Sequence, residues 1–109
     1  MPDRLDPDAL YNQLVDLGET WADQDAAASA LEEALRGVKA LAFLSSDGKN
    51  VAEREAKMNS DPSVTEHIGY MVEARRVANR SRVRYDVGKV RVELIRTLES
   101  TRRAEMALR

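Results

Sequence analysis

Cysteine is absent from the 109 residues, which excludes disulfide frameworks, thiolate metal sites and cysteine nucleophiles. Aromatic residues make up 5%, too few for a thick aromatic core or a platform on which bases stack. Histidine occurs once, as His67 beside Glu66, and a lone histidine has no company for a metal site or a nucleophile–base pair. It reads as structural or solvent-facing. No stretch approaches the roughly 20 apolar residues that span a bilayer, and the opening MPDRLDPDAL lacks the apolar run of a signal peptide, so the expected location is the cytoplasm. No glycine-rich phosphate loop, nucleophile elbow or catalytic carboxylate pair is found. The expectation is a non-enzyme that works by binding, with no cofactor and no metal.

What is present is charge and helix-forming residues. Charged side chains are 33% of the chain, and Ala, Arg, Glu, Leu and Val are abundant, which favours long helices over a sheet. The length suits one helical domain. The net charge of −2 conceals an asymmetry: residues 1–73 are strongly acidic, whereas residues 74–109 are strongly basic. Such a division either pairs the two halves with each other or offers a cationic surface to an anionic partner.

Helix ends are marked by recognisable chemistry. Asp6-Pro7 caps and starts a helix, with Asp8 suited to its positive end. Ser45-Ser46-Asp47-Gly48-Lys49-Asn50 is a break, with a glycine suited to a chain reversal. Asp61-Pro62 repeats the first start signal. The spacing predicts a helix over 7–44, a short one over 51–58 and a long one over 62–107, the last nearly 70 Å at about 1.5 Å per residue.

In the first helix, steps of four and three give Leu10, Leu14, Leu17, Trp21, Gln24, Ala28, Leu31, Leu35, Val38 and Ala42, apolar throughout except Gln24. This is a coiled-coil-like seam. In the last helix Val83, Val87, Val90 and Leu94 repeat the spacing and are expected to pack on it. An antiparallel hairpin pairing Asp25 with Arg91 and Glu32 with Arg84 is expected, with Leu10 near Met106 and Ala42 near Ala74. A second apolar line, Val64, Met71, Ala78, Tyr85 and Val92 with Ile68 and Ile95, needs another partner. The expected fold is therefore an all-α antiparallel hairpin with a short connecting helix, dimerising into a bundle through that second line. Trp21 is expected in the core, and Gly18, Gly37, Gly69 and Gly88 fall inside helices, with close helix contact or local bending as the return at Gly88.

Arg75, Arg82, Lys89, Arg96 and Arg103 recur every seven residues outside the expected seam. They would form a cationic ridge roughly 42 Å long, thickened by Arg76, Arg80, Arg102 and Arg109. One reading is backbone contact with nucleic acid, strongly salt-dependent and weakly sequence-specific. The other is that these side chains solvate a long helix or answer acidic groups on the first helix. The acidic net charge and the absence of helix-turn-helix, zinc-finger or RNA-recognition signatures count against nucleic acid. Asp16, Glu19, Asp23, Asp25, Glu32 and Glu33 give the first helix an anionic face that reads as solvated or as attractive to a basic partner.

Two stretches, GKNVAEREAKMNSDPSVTEHI (48–68) and RVANRSRVRYDVGKVRVELIRTLESTRRAEMALR (76–109), resemble a group of small, uncharacterised helical proteins of tailed phages and prophages. Together they cover about half the chain, and Val64 stands where an aromatic residue is more usual in that group. Such proteins are often encoded among recombination and replication genes, so the resemblance implies an accessory role in phage DNA metabolism, with nucleic acid or a recombination protein as partner. The alternative expectation is a phage protein that inhibits or adapts a host protein through an apolar or acidic helical face. A purely structural assembly subunit is a third.

Overall fold

The computed structural model describes residues 6–108, and the described residues form three α-helices. They are α1 (Pro7–Leu44), α2 (Val51–Asn59) and α3 (Pro62–Ala107). The fold is all-α, and none of the helices is long and apolar enough to cross a membrane.

The three helices start, and α1 and α2 stop, where side chains satisfy the otherwise unpaired amides and carbonyls of their ends. The Asp6 carboxylate accepts from the Asp8 amide at 3.1 Å. At the other end of α1 the Ser45 hydroxyl donates to the Leu41 carbonyl at 2.8 Å and the Ser46 hydroxyl to the Ala42 carbonyl at 2.6 Å. Asn50 caps α2, accepting from the Glu53 amide at 2.8 Å, while Glu53 reaches back to the Lys49 amide at 3.2 Å. This reciprocal arrangement resembles a capping box. The Asp61 carboxylate holds the start of α3, accepting from the Ser63 amide at 2.8 Å and the Ser63 hydroxyl at 2.7 Å.

Gly48 has a role other than the expected reversal, because no described glycine adopts positive φ. A Cβ at Gly48 would lie 2.7 Å from Arg54 Cγ and 3.0 Å from the Arg54 amide nitrogen. The glycine lets the break pack against the first turn of α2. Lys57 fastens the same break by donating to the Asp47 carbonyl.

The chain divides into two compact units. One runs from Asp23 to Ala78 and is a closed hairpin: the second part of α1, the break, α2 and the first part of α3. Its helices are antiparallel, since Arg75 meets Asp25 and Glu32 whereas His67 meets Leu31. Ala28, Ala42, Val64 and Ala78 are its buried apolar residues. The other unit combines residues up to Ala22 with residues from Asn79 onward. Here Gly18 and Trp21 lie against Tyr85, and Leu14 and Leu17 against Gly88, so these stretches are antiparallel too.

The α1 seam is as expected, with every position from Leu10 to Ala42 buried or half-buried. The seam on α3 is not the expected one. Val83, Val87, Val90 and Leu94 are 53%, 62%, 64% and 56% exposed. Apart from Arg75 and Val77, the buried and half-buried positions are Val64, His67, Met71, Ala74, Ala78, Ser81, Tyr85, Gly88, Val92 and Ile95, an unbroken alternation of three and four along the helix. The line assigned to a second chain is therefore largely used within one chain. Val64 and Ala78 are buried and Met71, Tyr85, Val92 and Ile95 half-buried, while Ile68 is exposed. The physical reason is continuity and fit: this line serves nearly the whole helix, whereas the valine line serves residues 83–94. It also sets a ring against Gly18 and leucines against Gly88.

Candidate nucleic-acid interface

The ridge arginines separate into two groups. Arg75, in the hairpin unit, is occupied. Its guanidinium donates to Glu32 through Nε at 3.0 Å and Nη2 at 2.8 Å, to Asp25 through Nη1 at 2.6 Å, and to the Ser29 hydroxyl at 3.3 Å. Asp25, Ser29 and Glu32 sit four and three residues apart on one face of α1, so one planar fork reaches all three. Glu32 is held below its ordinary carboxylate range, first by the hydrogen bonds from Arg75 and also by its charge. Arg75 is correspondingly pushed up.

This clamp corrects the expected register, in which Asp25 faced Arg91 and Glu32 faced Arg84. The expected pairing took its flank from the valine line, beside which Arg84 and Arg91 stand; beside the line that packs on α1, the flank facing Asp25 and Glu32 is that of Arg75, Arg82, Lys89, Arg96 and Arg103. The steric fit of Gly18, Trp21 and Tyr85 goes with that line.

Arg82, Lys89, Arg96 and Arg103 belong to the other unit and all are exposed. Among the described residues none of the four has an ion-pair partner. The α1 stretch of this unit presents Tyr11 and Gly18 on the flank where the hairpin unit presents Asp25 and Glu32. The cations therefore lack the acid neighbours that engage Arg75. Lys89 lies over the Tyr85 ring, 5.8 Å from its centroid, and Tyr85 in turn stacks at a tilt on Trp21, with centroids 5.6 Å apart. Such a contact orients the ammonium without neutralising it. Of the side chains expected to thicken the ridge, Arg76 is paired with Glu73 at 2.6 Å, Arg80 and Arg102 are exposed without an ion pair among the described residues, and Arg109 lies outside the described residues.

Two further features went unseen in the sequence. The valine line is exposed rather than packed. Beside it lies a groove of about 360 Å³ whose apolar lining includes Leu10, Leu14, Leu17, Val83 and Val87. Gly88 carried the signal that could have revealed both, because a helix-interior glycine costs about 1 kcal/mol and marks close approach, and Gly88 belongs to the Tyr85–Val92 line. His67 is structural, its Nε2 donating to the Leu31 carbonyl at 2.7 Å. Among the described residues no cluster of His, Asp or Glu is arranged to hold a metal ion.

No family model, curated protein or solved structure matches the chain.

Proposed function

We propose that the protein is a non-catalytic binding protein whose cationic α3 flank contacts the phosphate backbone of nucleic acid, as an accessory in phage DNA transactions. The observation that carries this reading is the difference between Arg75 and its heptad equivalents. Arg75 spends its donors on Asp25, Ser29 and Glu32, whereas Arg82, Lys89, Arg96 and Arg103 are exposed with no ion-pair partner among the described residues. Cations held at regular spacing on a helix flank, with no carboxylate opposite, suit a polyanion. Counterion release supplies the binding free energy and makes it fall with salt. The likeness of residues 48–68 and 76–109 to small phage proteins supports the DNA-metabolic setting.

The test is a fluorescence-anisotropy titration of single- and double-stranded DNA at low and moderate salt. Binding should weaken steeply as salt rises. The triple variant Arg82→Glu, Arg96→Glu, Arg103→Glu should lose it, and undiminished binding by that variant sinks the reading.

A further inference from the structure

The outward face of α3 in the unit that contains Tyr85 is apolar where a solvated helix would be polar. Val83, Val87, Val90, Leu94 and Leu98 are all more than half exposed and form a line about 22 Å long at 1.5 Å per residue. Single exposed apolar residues are ordinary, but a continuous line of them marks an interface. At about 100° per residue this line is turned away from Tyr85, Gly88 and Val92, the positions packed on α1; Val83 and Val87 border the groove beside Leu10, Leu14 and Leu17, yet all five side chains of the line stay more than half exposed.

Charge is segregated across the line. Arg84 and Arg91 stand on one side, with Arg80 and Arg102 near them, and Asp86 and Glu93 stand on the other; all six are exposed. Among the described residues none of the six forms an ion pair.

We propose that this line is the seam of a parallel, in-register dimer of the chain, formed by α3 against α3. A twofold axis along two parallel helices sets each flank against the opposite flank of the other copy, so the Arg84–Arg91 side meets the Asp86–Glu93 side, twice. Antiparallel pairing would set arginines against arginines and carboxylates against carboxylates, which is unfavourable. The dimer leaves the flank of Arg82, Lys89 and Arg96 uncovered, so self-pairing and nucleic-acid binding stand or fall separately.

The cysteine-free sequence allows a direct test. Val83→Cys, Leu94→Cys and, as an outlying control, Asn12→Cys are made singly, checked for unchanged helix content by circular dichroism, and oxidised mildly at low micromolar concentration. In-register parallel helices place each seam cysteine opposite itself. Both single variants should then form disulfide dimers at least about tenfold faster than Asn12→Cys, through the high effective concentration at the seam. Light scattering should give twice the 12.2 kDa chain mass, and Val87→Asp combined with Val90→Asp should return it to the monomer. Cross-linking mainly when the Val83→Cys and Leu94→Cys proteins are mixed would overturn the parallel arrangement, because an antiparallel pair leaves one or both of the single variants with their cysteines beyond the roughly 7 Å a disulfide spans. A monomeric parent mass with three equal, slow oxidation rates would overturn the dimer.

Discussion

Glycines inside the helices are where single residues speak most clearly. Each costs about 1 kcal/mol in a helix interior, and the structure separates those that gain something from those that do not. Gly37 and Gly69 face open space, with nothing within 4 Å of an added Cβ. Gly37→Ala and Gly69→Ala should each raise the free energy of unfolding by about 0.5–1 kcal/mol in urea titrations. Gly18 is different, because its Cβ would lie 3.0 Å and 3.3 Å from Tyr85 ring carbons, and that ring is itself in contact with Trp21 and Lys89. Overpacking of this kind costs about 1–3 kcal/mol and should outweigh the helix gain, so Gly18→Ala is expected to destabilise. Gly88 meets the Cδ1 atoms of Leu14 and Leu17 at 3.2 Å and 3.3 Å. Those methyls are flexible and border the groove, so Gly88→Ala should be close to neutral.

Between elements, the Arg75 clamp and the helix caps govern how the hairpin unit responds to acid and to truncation. Glu32 titrates below its ordinary value of 4.5 in the folded chain because Arg75 bonds its charged form, so it stabilises the fold above that pH and the contribution disappears as pH falls through the lowered value. Asp61 behaves likewise below 3.8, through its bonds from Ser63. Thermal midpoints from pH 7 to pH 3 should therefore fall in the acid range. Arg75→Gln should flatten part of that fall and leave the Asp61 part, whereas an unchanged pH profile would show that the clamp is not maintained in solution. At α2, Asn50→Ala removes the acceptor for the Glu53 amide and should cost about 1 kcal/mol, seen as faster amide exchange in the first turn of α2. These ends were legible in the sequence because caps are local: Asp6-Pro7, Asn50 and Asp61-Pro62 carry their own chemistry. The α1 seam was legible as well, being one line of apolar residues with a single exception. The α3 seam was legible as a line but not as the partner of α1, because the intervening His67, Ala74, Ser81 and Gly88 are small or polar and a hydrophobic count passes over them, while the valine line looks the better core. The register was hidden for a related reason, since the flank facing Asp25 and Glu32 is that of Arg84 and Arg91 beside the valine line but that of Arg75, Arg82 and Lys89 beside the line that packs, and the fit of Tyr85 beside Gly18 belongs to the latter.

For the whole molecule, the question is how a chain of net charge −2 would hold a polyanion, and the answer is local neutralisation. Acidic side chains of α1 engage Arg75 but are not ion-paired, among the described residues, with Arg82, Lys89, Arg96 or Arg103. A cation already bonded to carboxylates displaces few counterions from DNA, whereas an unpaired one displaces about 0.9 per B-DNA phosphate contacted. The proposal therefore predicts more than a loss of affinity. In plots of log binding constant against log salt, replacing Arg82, Arg96 and Arg103 together by Gln should reduce the slope by about 2.7, close to 0.9 for each contact removed. Arg75→Gln should leave the slope unchanged, whatever it does to stability. Equal effects of Arg75 and the other three would mean that the clamp opens on binding and that the ridge acts as the continuous line its seven-residue repeat suggests. No effect of any of them would return the α3 cations to the plain role of solvating a long helix.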